Sequence, residues 1–482
     1  MEIKQRMSKR LAWVLGVVVL VAIGLLVACG SNYQPATDGL LLVGSQGSGL
    51  IETFSFNLGT GSVAAISNTP QDTSNEVCVL NGLPSSMVVD PAGAYAYTII
   101  NFNSLCNTGS TPSTTGILAF KINSDGSTTP VANQVPFTME GVTPCVPIEP
   151  PPTNPPYCNL GSSTEQVAAV PGTMVMDPAG KFLFVADRAT TDSTGLYVPG
   201  AVSVFAIGSG GSVTEVPGSP FFTTSSPMTL TQSGIDIVSV APTPTVFPQI
   251  GINGQQSSVC SAVGLNPPTT EYLYAVDGVG NQVFEFAVNT TSGVLTNPGT
   301  GTSMPSFTTG ETPVGVAVDP CNRFVYVSDS LTDQVSAYTI CNGSSTSQPV
   351  PCAALAPGGL VTVTGSPFVL SGSANGPGPL AVDPNGNFVY VLGTLSNTIS
   401  PLKISPVSGA LTALNPATVG TGVGPKSLVI RGDDSWMFVS DFGSTTVGGS
   451  SVSQYAITPS TGALVPQPAI QTDNYPWGVA VK

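Results

Sequence analysis

One phrase returns along this chain and limits what it can fold into: a short apolar run that ends in Asp-Pro-x-Gly. It reads Met87-Val-Val-Asp90-Pro-Ala-Gly93, Met174-Val-Met-Asp177-Pro-Ala-Gly180, Val316-Ala-Val-Asp319-Pro-Cys-Asn322 and Leu380-Ala-Val-Asp383-Pro-Asn-Gly386. Looser copies are Leu428-Val-Ile-Arg431-Gly-Asp-Asp434 and Val263-Gly-Leu-Asn266-Pro-Pro. Asp first, Pro second and Gly fourth are type I turn preferences, so each copy predicts a strand entering a tight turn. A second apolar run follows, as in Phe324-Val-Tyr-Val-Ser328 and Phe388-Val-Tyr-Val-Leu392. A third alternates strictly, as a half-buried strand does: Val202–Ile207, Val335–Ile340 and Val452–Ile457. A glycine-bearing turn and a short fourth strand end the unit. Four antiparallel strands per repeat of about 45–50 residues predict a propeller blade.

Counting blades tests this. Pro84, Pro171, Pro313, Pro377, Pro425 and Pro476 lie six residues before the turn position, and Cys260 holds that place before Asn266. The last start, Pro476–Val481, is a single strand, while Leu40–Ile66 holds three strands and lacks the first. The expected fold is therefore all-β: a seven-bladed propeller of four-stranded antiparallel blades over residues 38–482, its C-terminal strand completing the N-terminal blade. Insertions are expected near residues 138–169 and 222–259, on the face where blades connect (the top), and near 341–357 on the opposite face.

Residues 11–28 form an apolar run behind Lys4, Arg6, Lys9 and Arg10. The run stops at Leu26-Val27-Ala28-Cys29, which resembles a bacterial lipobox. That resemblance implies a signal peptide over 1–28, a lipidated Cys29, a linker over 29–37, and a tether to a membrane outside the cytoplasm; a monomer is expected. Cys78, Cys106, Cys145, Cys158, Cys260, Cys321, Cys341 and Cys352 remain, an even number that suits disulfides in an oxidising compartment. Local pairs Cys78–Cys106, Cys145–Cys158 and Cys341–Cys352 are candidates.

Charge excludes several functions. Only 8% of residues are Asp, Glu, Lys or Arg, against about a quarter in ordinary soluble domains, so long amphipathic helices lack the residues for their wet faces. The four cations before residue 11 and Glu2 set aside, the 12 basic and 27 acidic residues become 8 and 26, with no basic cluster for nucleic acid. The chain has no histidine, which rules out Ser-His-Asp and Cys-His catalysis and imidazole-bound zinc. No metal or other cofactor is expected.

The Asp-Pro-x-Gly turns, Tyr326-Val-Ser-Asp329 and the turns Ser408-Gly-Ala-Leu411 and Thr461-Gly-Ala-Leu464 resemble the lactonase-like seven-bladed propellers, close to the YVTN surface repeats. The resemblance spans roughly residues 38–482. It implies the fold; the family holds 6-phosphogluconolactonases, surface-layer-like proteins and members without assigned activity.

Two sets of residues are candidates for a ligand site. Asp187, Asp277, Asp329 and Asp441 end second strands on the top face, as an acidic rim or as loop caps. The residues after each opening position point toward the channel mouth: Ser85, Gly172, Ser261, Val314, Gly378, Lys426 and Trp477. Lys426 and Trp477 are the large ones and are neighbours in ring order, an ammonium beside an indole near Asp441. Arg188 is a second top-face cation. The favoured expectation is a non-catalytic, lipid-anchored scaffold that binds a ligand, glycan or envelope protein. The alternative is a lactone hydrolase using Lys426 and Asp441.

Overall fold

The computed structural model describes residues 38–482 except 47–49, 67–70, 73–81, 103–115, 132–145, 148–156, 160–169, 192–196, 224–227, 230–234, 245–249, 253–254, 258–269, 300–303, 342–351, 353–354, 372–375, 444–449 and 474. The described strands form seven antiparallel blades in a ring. Blades 1 to 6 begin with inner strands Gly82–Val89, Val170–Met176, Ile237–Pro242, Pro313–Val318, Pro377–Val382 and Pro425–Ile430. Blade 7 is made from both chain ends: Pro476–Val481 pairs with Asp38–Ser45, with Leu41 opposite Val481 and Val43 opposite Val479. The closure is also apolar, since Leu41, Val43, Phe54 and Phe56 of blade 7 share a buried cluster with Trp436, Phe438 and Val452 of blade 6.

The repeated phrase has a local cause. The turn carboxylate accepts two backbone N–H groups at the start of the second strand: Ala94 and Tyr95 on Asp90, at 2.6 and 2.8 Å, and Asn387 and Phe388 on Asp383, both at 2.6 Å. The turn is then tied back to both strands it joins. Neighbouring blades are locked by a second device. Except in blade 1, the glycine in the third-to-fourth-strand turn presses on the first aromatic of the preceding blade's second strand, as Gly409 does on Phe324 and Gly462 on Phe388. The tyrosine two residues on donates its hydroxyl to that glycine's carbonyl: Tyr326 to Gly409 at 3.1 Å and Tyr390 to Gly462 at 3.0 Å. The Phe-Val-Tyr-Val runs and the Gly-Ala-Leu turns are thus two halves of one inter-blade contact.

Blade 3 corrects the expected alignment. Its inner strand is Ile237–Pro242, not the run before Asn266, and Ile237 stands opposite Asp277 where the other blades have the opening proline. Thr243 replaces the turn aspartate: its hydroxyl accepts the Tyr272 N–H at 2.9 Å. A threonine followed by proline offers the same acceptor without the Asp-Pro signature, so the motif was missed. The insertion after residue 222 is therefore split by a strand. Its later part, with the hairpin Ile250–Ile252 and Gln255–Ser257, joins the first and second strands of blade 3 at the bottom face. On the top, Tyr157–Asn159 pairs with Met228–Thr229, joining the connections into blades 2 and 3.

Cys341 and Cys352 form a disulfide within the long loop of blade 4. Cys321 is disulfide-bonded as well. Cys29, Cys78, Cys106, Cys145 and Cys260 lie outside the described residues, as does the side chain of Cys158.

Candidate functional site

Lys426 and Trp477 each follow the proline that opens an inner strand, in blades 6 and 7, and the ring brings them together at the top mouth. One hydroxyl sets the two strands: Ser440 Oγ donates to the Trp477 carbonyl at 2.7 Å and accepts the Ser427 N–H at 3.1 Å. Lys426 Nζ lies 5.0 Å from the Trp477 ring centroid and 5.4 Å from that of Phe442. The two rings stand at 90°, their centroids 5.4 Å apart, so the ammonium sits in an aromatic corner. Tyr475 extends the wall, 4.9 Å from Phe442. All four side chains are half-buried. Among the described residues no carboxylate forms an ion pair with Lys426.

Phe442, Tyr475 and Ser440 were not singled out from the sequence. The signal for Tyr475 was there: it precedes Pro476 where Gly376 and Gly424 precede Pro377 and Pro425. With blade 3 realigned, the third mouth position is Val238, not Ser261, which lies outside the described residues.

The four aspartates do end second strands at the top, but they are buried, with relative exposures of 0–1%. Each is hydrogen-bonded within the fold. Ser203 donates to Asp187 at 2.6 Å, Ser336 to Asp329 at 2.7 Å and Ser453 to Asp441 at 2.7 Å. The serine then receives a backbone N–H from the connection entering the blade: Gly310 on Ser336 at 3.1 Å and Gly422 on Ser453 at 3.0 Å. In blade 3 Asp277 takes that N–H directly, from Asp236 at 2.9 Å. Blade 7 reverses the pair: Ser45 ends the strand and donates to Glu52 at 2.9 Å, and Glu52 accepts the Asp473 N–H at 2.9 Å. These pairs pin incoming loops rather than present a rim to solvent. Burial raises Asp187 to about 8 and Asp329 and Asp441 to about 6, against the hydrogen bonds that lower them.

Arg188 is also committed. Its Nη2 lies 2.8 Å from Oδ2 of Asp236, whose Oδ1 accepts the Ala189 N–H at 2.8 Å. The guanidinium fastens blade 2 to the connection entering blade 3. A separate groove of about 580 Å³ lies between the outer strands of blades 6 and 7, lined by Phe54, Thr60, Gln454, Gln467 and Ile470 among others. Its lining has no ionisable side chain, so it offers no acid–base chemistry.

No protein-family profile matches this sequence, and no curated protein does. Solved structures match the fold. A candidate 6-phosphogluconolactonase from Bacteroides fragilis shares 17% identity over 94% of this chain and 100% of its own, with a TM-score of 0.58. A second, from Bacteroides uniformis, shares 16% over 92% and 99%, also with a TM-score of 0.58. The periplasmic gluconolactonase of Pseudomonas aeruginosa shares 16% over 92% and 99%, with a TM-score of 0.57. Likeness at these identities speaks to fold: the chain shares the propeller architecture of these structures.

Proposed function

We propose that this protein is a lipid-anchored, extracytoplasmic propeller that binds a ligand, glycan or envelope protein at its top mouth without catalysing a reaction. The observation that carries this reading is the Lys426 ammonium, held in the Phe442–Trp477 corner with no carboxylate partner among the described residues. Such a group is placed to receive something. The other candidate groups for a hydrolase are committed elsewhere: Asp441 holds two serine hydroxyls, and Arg188, in blade 2, holds Asp236. The chain has no histidine to serve as a general base.

The fold shared with a periplasmic gluconolactonase favours the second reading, lactone hydrolysis at Lys426. Proton release in a pH-stat with sugar and acyl lactones separates the two. Turnover that falls in Lys426→Ala would establish the hydrolase; none in either form is the expected result. The positive expectation is a partner recovered from envelope extract by the wild-type chain and lost with Lys426→Ala. For the anchor, labelled fatty acid should enter the wild-type chain and not Cys29→Ser; label in both would refute lipidation at Cys29.

A further inference from the structure

Tyr475 has a left-handed backbone, φ 61°, at the place before the opening proline where blades 4, 5 and 6 have Thr312, Gly376 and Gly424 with φ 54°, 75° and 67°. A side chain there is disfavoured on its own, because the β-carbon crowds the following carbonyl. The left-handed turn belongs to the repeat, since Thr312 adopts it too; what is particular to Tyr475 is the ring it carries. Here the aromatic ring gained is the outer wall of the Lys426 corner. Its backbone is held on both sides, the N–H donating to Ser450 Oγ at 2.9 Å and the carbonyl accepting from the Gln46 N–H at 2.9 Å.

Resting on the top-mouth binding reading, we infer that the corner takes a small aromatic carboxylate, its ring against Trp477, Phe442 and Tyr475 and its carboxylate on the Lys426 ammonium. The ammonium has two rings beside it and no carboxylate partner among the described residues, so an anion completes it. Rings at right angles suit a flat aromatic, stacked on one and edge-on to the other. A sugar acid would need acceptors for its hydroxyls. Asp441 is fully buried, its Oδ2 holding Ser451 and Ser453; the Trp477 carbonyl already accepts from Ser440 and the Gly424 carbonyl from the Phe442 N–H. An organic cation would compete for a seat that Lys426 already fills.

The test is calorimetric titration of the full chain in detergent micelles at low salt, with benzoate and 4-hydroxybenzoate against glucuronate and benzyltrimethylammonium. Benzoates should bind best, and Lys426→Ala should weaken them at least about tenfold. Tyr475→Gly should weaken binding by a similar factor while its melting temperature holds or rises, because the glycine accepts the backbone without strain; Tyr475→Phe should retain binding. Preference for glucuronate or for the ammonium probe, lost in the same variants, would overturn the ligand class and leave the site standing. Absence of binding by any probe to a cooperatively melting protein would overturn the class, with envelope capture by wild type against Lys426→Ala judging the site separately. A Tyr475→Gly that binds as wild type, or melts well below it, would overturn the role given to Tyr475.

Discussion

A β-carbon on Gly409 would lie 2.5 Å from Phe324 Cδ1, and φ there is 74°. Two penalties coincide, one steric and one conformational. Gly409→Ala should destabilise the protein by at least about 2 kcal/mol in urea unfolding, whereas Gly432→Ala, with nothing within 4 Å, should change it little. Glu285 shows a different constraint. Burial raises its carboxyl to about 8, and its buried Oε1 has no hydrogen-bond partner. A carboxyl whose folded pKa is raised contributes stability that is full below the unfolded value, near 4.5, and is lost as pH rises through about 8. Glu285→Gln, which cannot ionise, should therefore melt higher than wild type at pH 9 and close to it at pH 5. Blade 6 already has an amide at the matching strand position: Gln454 Nε2 donates to Gly61 at 2.8 Å.

At the scale of the strand and its loop, the carboxylate–hydroxyl pair is what recurs. Blade 5 keeps only half of it. Gly393 stands where the aspartate would be, and the buried hydroxyl of Ser400 has no partner. Ser453→Ala removes a donor to Asp441 and the acceptor of Gly422, and should cost about 1 kcal/mol or more. Ser400→Ala removes a hydroxyl that satisfies nothing and should be neutral or stabilising by the same denaturant assay. Equal losses in both would show that these serines matter for packing volume and not for pinning the loop. The aspartates were legible in the sequence because their spacing from the turn repeats. Their serine partners were not, because the loop between second and third strands varies in length, from Gly393–Thr398 to the longer stretch after Asp441.

For the whole molecule, closure and buried acid dominate. Deleting residues 476–482 removes the strand paired with Asp38–Ser45 and opens the ring between blades 6 and 7. It takes with it Val479 and Trp477, so the truncated chain should lose cooperative melting, and a melt like wild type would refute closure by that strand. Several buried carboxyls act in the same direction as Glu285: burial raises Asp187 and Glu271 to about 8, Asp383 to about 7, and Asp329, Asp434 and Asp441 to about 6. All bind protons more tightly folded than unfolded. Scanning calorimetry should find the protein most stable on the acid side, with its melting temperature falling between about pH 5 and pH 9; a rise over that range would contradict the burial of these groups.

Turn chemistry and strand alternation are local, so the sequence alone determined the blade, the count of seven and the closure: Asp-Pro-x-Gly must turn, and Phe-Val-Tyr-Val must bury both faces. Blade 3 escaped because Thr243 performs the aspartate's task with a different side chain. The placement of Lys426 beside Trp477 followed from ring order. That Phe442 and Tyr475 join them, that Arg188 answers Asp236, and that four aspartates are buried under loops were decided only in the tertiary structure. Those contacts join residues whose separation in the chain carries no period, and a side chain's partner across a blade boundary depends on loop paths that no local pattern encodes.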